Sequence, residues 1–246
     1  MTDETLVLPR RRELAIVPMR AASVSALVQP RPSAFNDVAR SLQVNASLLL
    51  CKRIIDVIVA GIALVVLSPV FLILSLAIVL TSDGPALFRQ QRFGRNNVPF
   101  TLFKFRSMYV DRQDLSGIAQ TVDRDPRVTM VGRIIRRTYI DELPQLINVL
   151  KGDMSLVGPR AQVMGMRAVG MCYEELVPHY RARHAVRPGI TGLAQVRGFR
   201  GEIKDIDHAV ARVDCDLEYI RRVSVWLDLK ILALTIPSVI MGRLKC

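Results

Sequence analysis

The sequence predicts an α/β protein, mostly helical with a small sheet, hung on an apolar helix-break-helix element. Three observations carry this. Val57 to Leu80 is one apolar run without a charged residue, interrupted by Ser68-Pro69. Two short strand-like stretches flank Gly94-Arg95-Asn96-Asn97. Further on, Leu143, Leu146, Ile147 and Leu150 recur at i, i+3, i+4 and i+7, the spacing of one helix face.

Residues 1–46 mix Arg, Pro, Ser, Ala and Val without periodicity and read as a disordered basic tail. The next segment, 47–82, holds the apolar run. Its 24 residues are long enough to span a bilayer, which needs about 20. Pro69 lacks the amide hydrogen that a continuous helix requires, so the run is expected to bend there. Basic residues crowd both ends: Arg40, Lys52 and Arg53 before it, Arg89, Arg92 and Arg95 after it. One flank of a crossing helix is ordinarily poor in Lys and Arg. A re-entrant helix with both flanks on the cytoplasmic side satisfies both facts. A signal-anchor helix that tolerates its proline is the alternative, and these residues leave both open. The run starts too late and is too long for a cleavable signal peptide.

Residues 83–246 are expected to form one soluble domain. Ala86–Phe88 and Phe100–Phe105 read as strand-like stretches that flank a hairpin turn or a tight loop. The polar stretch 111–127 reads as a mobile loop. A helix is expected from Gly132 through Ile135, and another from Asp141-Glu142, with Pro144 in its first turn and Gly152 at its end. Residues 162–184 look helical, as do 206–222. Val223 to Leu244 is apolar but holds Asp228, Lys230 and Pro237, which suits an interfacial helix better than a spanning one.

The formal net charge is +12 and the pI near 10.2. Such a surface attracts polyanions, and beside an apolar run anionic headgroups are favoured over nucleic acid. The four cysteines are scattered without a CxxC pair and the three histidines are far apart, so neither a disulfide framework nor a zinc site is indicated.

Asp141-Glu142 is the sharpest chemical feature. Arg133, Arg136 and Arg137 lie just upstream, and a helix N-terminus favours anions. Both are expected to keep Asp141 ionised, able to attack phosphorus, with a second carboxylate to hold Mg2+ or move a proton. Acidic residues at helix starts are also common caps. Lys104 and Arg106 should share one strand face, with Phe105 turned to the core. That face is either solvated or one wall of a phosphate site. Gly158-Pro159-Arg160 and Arg187-Pro188-Gly189 put arginines on loops suited to diphosphate or on ordinary turns.

Taken in order, these pieces resemble the bacterial sugar transferase family, the monotopic polyprenyl-phosphate phosphoglycosyl transferases. The resemblance runs from Lys52 to about Thr235. It rests on Lys52-Arg53 with Asp56, Ser68-Pro69, Gln91-Arg92-Phe93-Gly94, Lys104 to Met108, Asp141 to Gln145, Asn148 to Ser155, Gly158-Pro159-Arg160, Arg187 to Gly192, and Trp226 to Lys230. It implies a re-entrant helix bent at Ser68-Pro69. It also implies a catalytic domain on the cytoplasmic face of the bacterial inner membrane, with interfacial amphipathic helices around it. The activity implied is transfer of a sugar-1-phosphate from a UDP-sugar to a polyprenyl phosphate, releasing UMP. Asp141 would be the nucleophile, and Glu142 would assist with Mg2+ and protons, so that both carboxylates are the implied metal ligands. Arg136, Arg160 and Arg187 match arginines near the nucleotide phosphates, Pro159 and Arg160 match a nucleotide-binding Pro-Arg-Pro loop, and Asp216 matches an acidic position in a later helix. Lys104 and Arg106 belong to the implied substrate wall.

The chain departs from the pattern at Ala161, where the loop's second proline is missing, and near Val223, where an aromatic is usual. The four-helix membrane domain of larger members is not found in it. Gly198-Phe199-Arg200-Gly201-Glu202 is more similar to exopolysaccharide-initiating members, which favours a hexose. The partners implied are a UDP-sugar, polyprenyl phosphate and membrane lipid, without nucleic acid, and with a homodimer open beside a monomer. A non-enzymatic, membrane-tethered basic adaptor is the competing reading; it has no use for the Asp-Glu pair.

Overall fold

A computed structural model describes residues 46–114, 125–177, 179–201, 203 and 205–243. All of the expected basic tail but Ala46 lies outside the described residues, as do Glu202 and much of the expected mobile loop.

The apolar run folds as two helices, α1 (Ala46–Val66) and α2 (Ser68–Thr81), bent 61° apart at Leu67. The cause is local. Pro69 has no amide hydrogen for the Val65 carbonyl. The Ser68 hydroxyl takes its place, donating to Val65 O at 2.8 Å. The Ser-Pro pair thus breaks the ladder and satisfies the carbonyl it strands. No single described helix is long and apolar enough to cross a membrane. The pair leaves large side chains exposed along its length, among them Ile62, Val65, Leu72, Ile73 and Leu80. So wide an apolar surface marks an interaction with lipid or protein.

The opposite face of α1 docks on the domain. Lys52, Asp56 and Ala60 are buried at i, i+4 and i+8. Asp56 accepts from Ser155 Oγ at 2.7 Å and from Leu156 N at 3.1 Å. Lys52 pairs with Asp228, which also accepts from the Tyr219 hydroxyl at 2.8 Å.

The hairpin follows as expected: β1 (Leu87–Phe93) pairs antiparallel with β2 (Pro99–Phe105), Leu87 opposite Phe105 and Phe93 opposite Pro99. Its turn uses Asn96 and Asn97 at positive φ, a conformation asparagine tolerates. Next come α3 (Met130–Arg137), a 3-10 turn at Ile140–Glu142, and α4 (Gln145–Lys151). Gly152 ends α4 with φ of 93°. The buried Asn148 ties α4 to the hairpin: its Oδ1 accepts from Phe103 N at 3.0 Å and its Nδ2 donates to Thr101 O at 2.7 Å.

A parallel pair, β3 (Ser155–Val157) and β6 (Gly189–Thr191), carries the two motif loops. Their backbones nearly touch. A Cβ on Gly189 would lie 2.1 Å from Gly158 N, and one on Gly192 would lie 2.2 Å from Gly158 O. Glycine is required there because no side chain fits.

Residues 162–184 correct the expectation of a helix. They form a small hairpin, β4 (Arg167–Ala168) with β5 (Met171–Cys172), a single helical turn α5 (Tyr173–Leu176), and a 3-10 segment at Tyr180–Ala185. Val169 and Gly170 both have positive φ, the geometry of a tight hairpin turn, and Gly165 and His179 break the chain again. After the short α6 (Leu193–Val196), α7 (Ile206–Arg222) runs as expected. Its start is capped by Asp205, which accepts from His208 N at 2.7 Å. The last helix, α8 (Val225–Arg243), packs back on α1 and β3.

Candidate active site

The Asp-Glu pair is set by a strained corner. α3 ends at Arg137, and Tyr139 adopts φ 58°, ψ 13°, uncommon for a non-glycine residue. That reversal turns the chain into the 3-10 turn holding Asp141 and Glu142. Pro144 follows, and α4 proper starts only at Gln145. The carboxylates therefore precede the helix rather than open it, a correction to the expected placement.

Both face a cavity of about 670 Å3, whose walls come from the β1–β2 hairpin, α3, the Gly158–Arg160 loop, β6 and α7. Glu142 is locked. It accepts from Lys104 Nζ at 2.8 Å and from the Arg160 guanidinium at 2.6 and 3.3 Å. Burial pushes its pKa up, but Arg160 and Lys104 outweigh that and hold the carboxyl well below the usual range.

Asp141 differs. It is 8% exposed, and no described residue donates a hydrogen bond to it. Burial, assisted by the Glu142 charge, raises its pKa; Lys104, Arg136 and Arg160 pull the other way without reversing it. The expected cations are present, but desolvation outweighs their effect on the pKa. Two neighbouring carboxylates are driven apart in proton affinity.

The rest of the cavity is cationic. Arg136 reaches in from α3, its Nη1 donating to Ser107 Oγ at 3.3 Å. Arg92 and Arg212 are each pushed down to about 10, by burial first and then by Arg160. Arginines crowded this closely suit a ligand that brings negative charge. Arg92, Arg200, Arg212, Gln195 and Tyr139 line the cavity without having been predicted as site residues. The available signal for Arg92 was strand alternation, which places it with Gln90 on the face that Lys104 shares across the hairpin. Arg200 and Arg212 come from distant sequence and had no such signal.

Four expected site residues have other placements. Arg106 lines the wall, but its guanidinium donates to carbonyls of Ile78, Ser82, Asp83 and Gly84, capping α2. Arg187 does not line this cavity; its Nε donates to Gly152 O at 2.8 Å. Asp216 is buried behind the site, 2.5 Å from Arg183, which in turn donates to Arg160 O. Pro159 likewise does not line it; its carbonyl accepts from Gly189 N at 2.9 Å and so positions Arg160.

Among the described residues no group of three His, Cys, Asp or Glu could hold a metal. The pair present fits Mg2+ only with substrate phosphates as co-ligands, which is the ion's common mode. Asp141 has free oxygens for it; those of Glu142 are already engaged.

The site is thus a cationic cavity around two carboxylates of opposed proton affinity, beside a bent apolar helix pair. The chain belongs to the bacterial sugar transferase family, whose model matches residues 47–242. It is 52% identical over 190 residues to an exopolysaccharide production protein of Rhizobium leguminosarum bv. phaseoli, covering 77% of this chain and 95% of that one. It is 52% identical over 195 residues to an undecaprenyl-phosphate glucose phosphotransferase of Komagataeibacter xylinus, covering 79% of this chain and 37% of that one. It is 48% identical over 189 residues to a UDP-glucose:undecaprenyl-phosphate glucose-1-phosphate transferase of Caulobacter vibrioides, covering 77% of this chain and 69% of that one.

Proposed function

We propose that the chain transfers a hexose-1-phosphate from a UDP-sugar to a polyprenyl phosphate through a covalent phosphosugar on Asp141, releasing UMP. This would be the first membrane step of exopolysaccharide or glycoconjugate synthesis. The carrying observation is the asymmetry of the pair: Glu142 is held by Lys104 and Arg160, whereas Asp141 stands free in the cavity. The relatives' names support the substrates, and glucose is the first donor to try.

In the first half-reaction an Asp141 oxygen attacks the phosphorus next to the sugar. The bond from that phosphorus to the bridging oxygen breaks, and UMP leaves with the oxygen. Arg160, Arg92 and Arg136, which line the same cavity, would receive the charge that develops. In the second half-reaction a polyprenyl phosphate oxygen attacks the same phosphorus. The acyl-phosphate bond breaks and the carboxylate is restored. Mg2+, when bound, would neutralise diphosphate charge; Asp141, whose oxygens are free, is the residue that would hold it together with the substrate phosphates, Glu142 being engaged by Lys104 and Arg160.

The apolar helix pair is read as a re-entrant seat on the cytoplasmic face of the inner membrane. Its exposed apolar surface and its 61° bend support this, as do the basic residues at both ends. Seating the site beside the headgroups brings it within reach of a lipid-linked phosphate.

The test is a quenched incubation of the full chain with UDP-glucose, followed by peptide mass spectrometry. The expected result is a hexose-phosphate adduct on the peptide bearing Asp141, discharged by adding undecaprenyl phosphate. UMP release at the normal rate from Asp141→Asn would overturn the reading.

A further inference from the structure

A second basic site lies away from the Asp-Glu cavity, on the domain-facing side of α1. Leu49, Lys52, Arg53 and Asp56 occupy i, i+3, i+4 and i+7, one stripe along the first turns of the helix. They line a small recess with Arg95, from the β1–β2 turn, and Arg187, from the loop before β6. Among these lining residues four cations face one carboxylate.

The existing partners leave charge over. Lys52 is taken by Asp228, and Asp56 by Ser155 and Leu156 N. Arg53 spends its two Nη groups on the carbonyls of Val149 and Leu150, at 2.5 and 2.9 Å, which carry no full charge. Arg187 uses only Nε, so both Nη groups remain without a partner among the described residues. Arg95 is exposed, and its guanidinium has no hydrogen-bond partner among them either. Arg187 is pushed below its ordinary value by burial, then by Arg53 and Arg95. Guanidiniums that face one another with open Nη groups form a fork suited to phosphate oxygens.

The recess also has a definite level. Asp56 is the last polar residue before the apolar run begins at Val57. A ligand held by Arg95 and Arg187 therefore sits where polar chain gives way to apolar helix.

We infer that Arg95 and Arg187, with Arg53 behind them, form a second phosphate-binding site, separate from the Asp-Glu cavity, that takes the phosphate of a phospholipid headgroup or a free phosphate anion.

The test is native mass spectrometry of the full chain in mild detergent, with three probes: phosphatidylglycerol, phosphatidylcholine and inorganic phosphate. The comparison is with Arg95→Gln/Arg187→Gln and with a charge-matched control, Arg112→Gln/Arg167→Gln, whose arginines are exposed elsewhere. Retention of either phospholipid by the wild-type chain, weakened about 30-fold in the first variant and little in the control, would establish the lipid source. Binding of inorganic phosphate with the same variant pattern, and no lipid retention, would establish the free anion. Arg95→Gln alone removes only an exposed side chain and should give about a 5-fold loss, which guards against misfolding of the double variant. Equal losses in variant and control, or no bound probe in the wild-type chain, would overturn the site.

Discussion

Replacing Glu142 with Gln keeps the side chain's shape and removes its charge. In the native site that charge accepts three hydrogen bonds, from Lys104 and Arg160, at 2.6–3.3 Å. Removing one member of a buried ion pair costs about 3–5 kcal/mol, because the partner's charge is left uncompensated. Here the Arg160 side chain is 35% exposed and Lys104 18%, so solvent screens part of the loss. About 3 kcal/mol is the expected cost at pH 7, which for a domain of this size lowers the Tm by about 6–12 °C. The pH dependence follows from the direction of the shift. Glu142 in the folded chain lies below its unfolded value of about 4.3, so its contribution is complete above that value. It is lost as pH falls toward the folded pKa. Thermal unfolding of wild type and Glu142→Gln at pH 7 and pH 3.5 should therefore show a gap that narrows on acidification. Equal stability at pH 7, or a gap that widens in acid, would refute the reasoning.

Three further outcomes are expected. Adduct formation requires ionised Asp141, whose pKa is raised, so its acid limb should lie above the ordinary aspartate value of about 3.9. Lys104 is the largest influence lowering that pKa, so Lys104→Met should move the limb further up; a rapid-quench pH profile with the limb unmoved or lower would contradict this. Gly189→Ala places a Cβ 2.1 Å from backbone and should cost about 3 kcal/mol or more, whereas Gly165→Ala meets open space at φ 68° and should cost about 1 kcal/mol; thermal melts of the two compare them directly. Ser68→Ala/Pro69→Ala returns an amide hydrogen to the Val65 carbonyl, so the 61° bend should open and spin labels at Leu50 and Leu80 should move apart in a pulsed dipolar measurement.

The sequence was legible where local chemistry decides the outcome. Pro69 requires a break, the asparagines require a turn between strands, and Gly152 requires a helix end; each is found. It was misleading at 162–184, which looked helical. The positive-φ residues Gly165, Val169, Gly170 and His179 instead divide that stretch into turns. The carboxylates, Lys104, Arg136 and Arg160 were legible as neighbours, since all of them line one cavity. Arg106 and Arg187 were not, because a guanidinium's partner is fixed by three-dimensional neighbours. One found helix-end carbonyls and the other a loop carbonyl. The raised pKa of Asp141 was not legible for a related reason: charges can be counted along a chain, but burial cannot.

The two guanidinium caps have a mechanical consequence. Arg53 of α1 grips the last carbonyls of α4, the helix that follows Asp141-Glu142. Arg106 grips the end of α2 and stands two residues from Lys104, which holds Glu142. Each arm of the apolar elbow is thus strapped to a different side of the reactive turn. Straightening the elbow would pull on both straps at once, so any force that reshapes the anchor also tugs at the carboxylates.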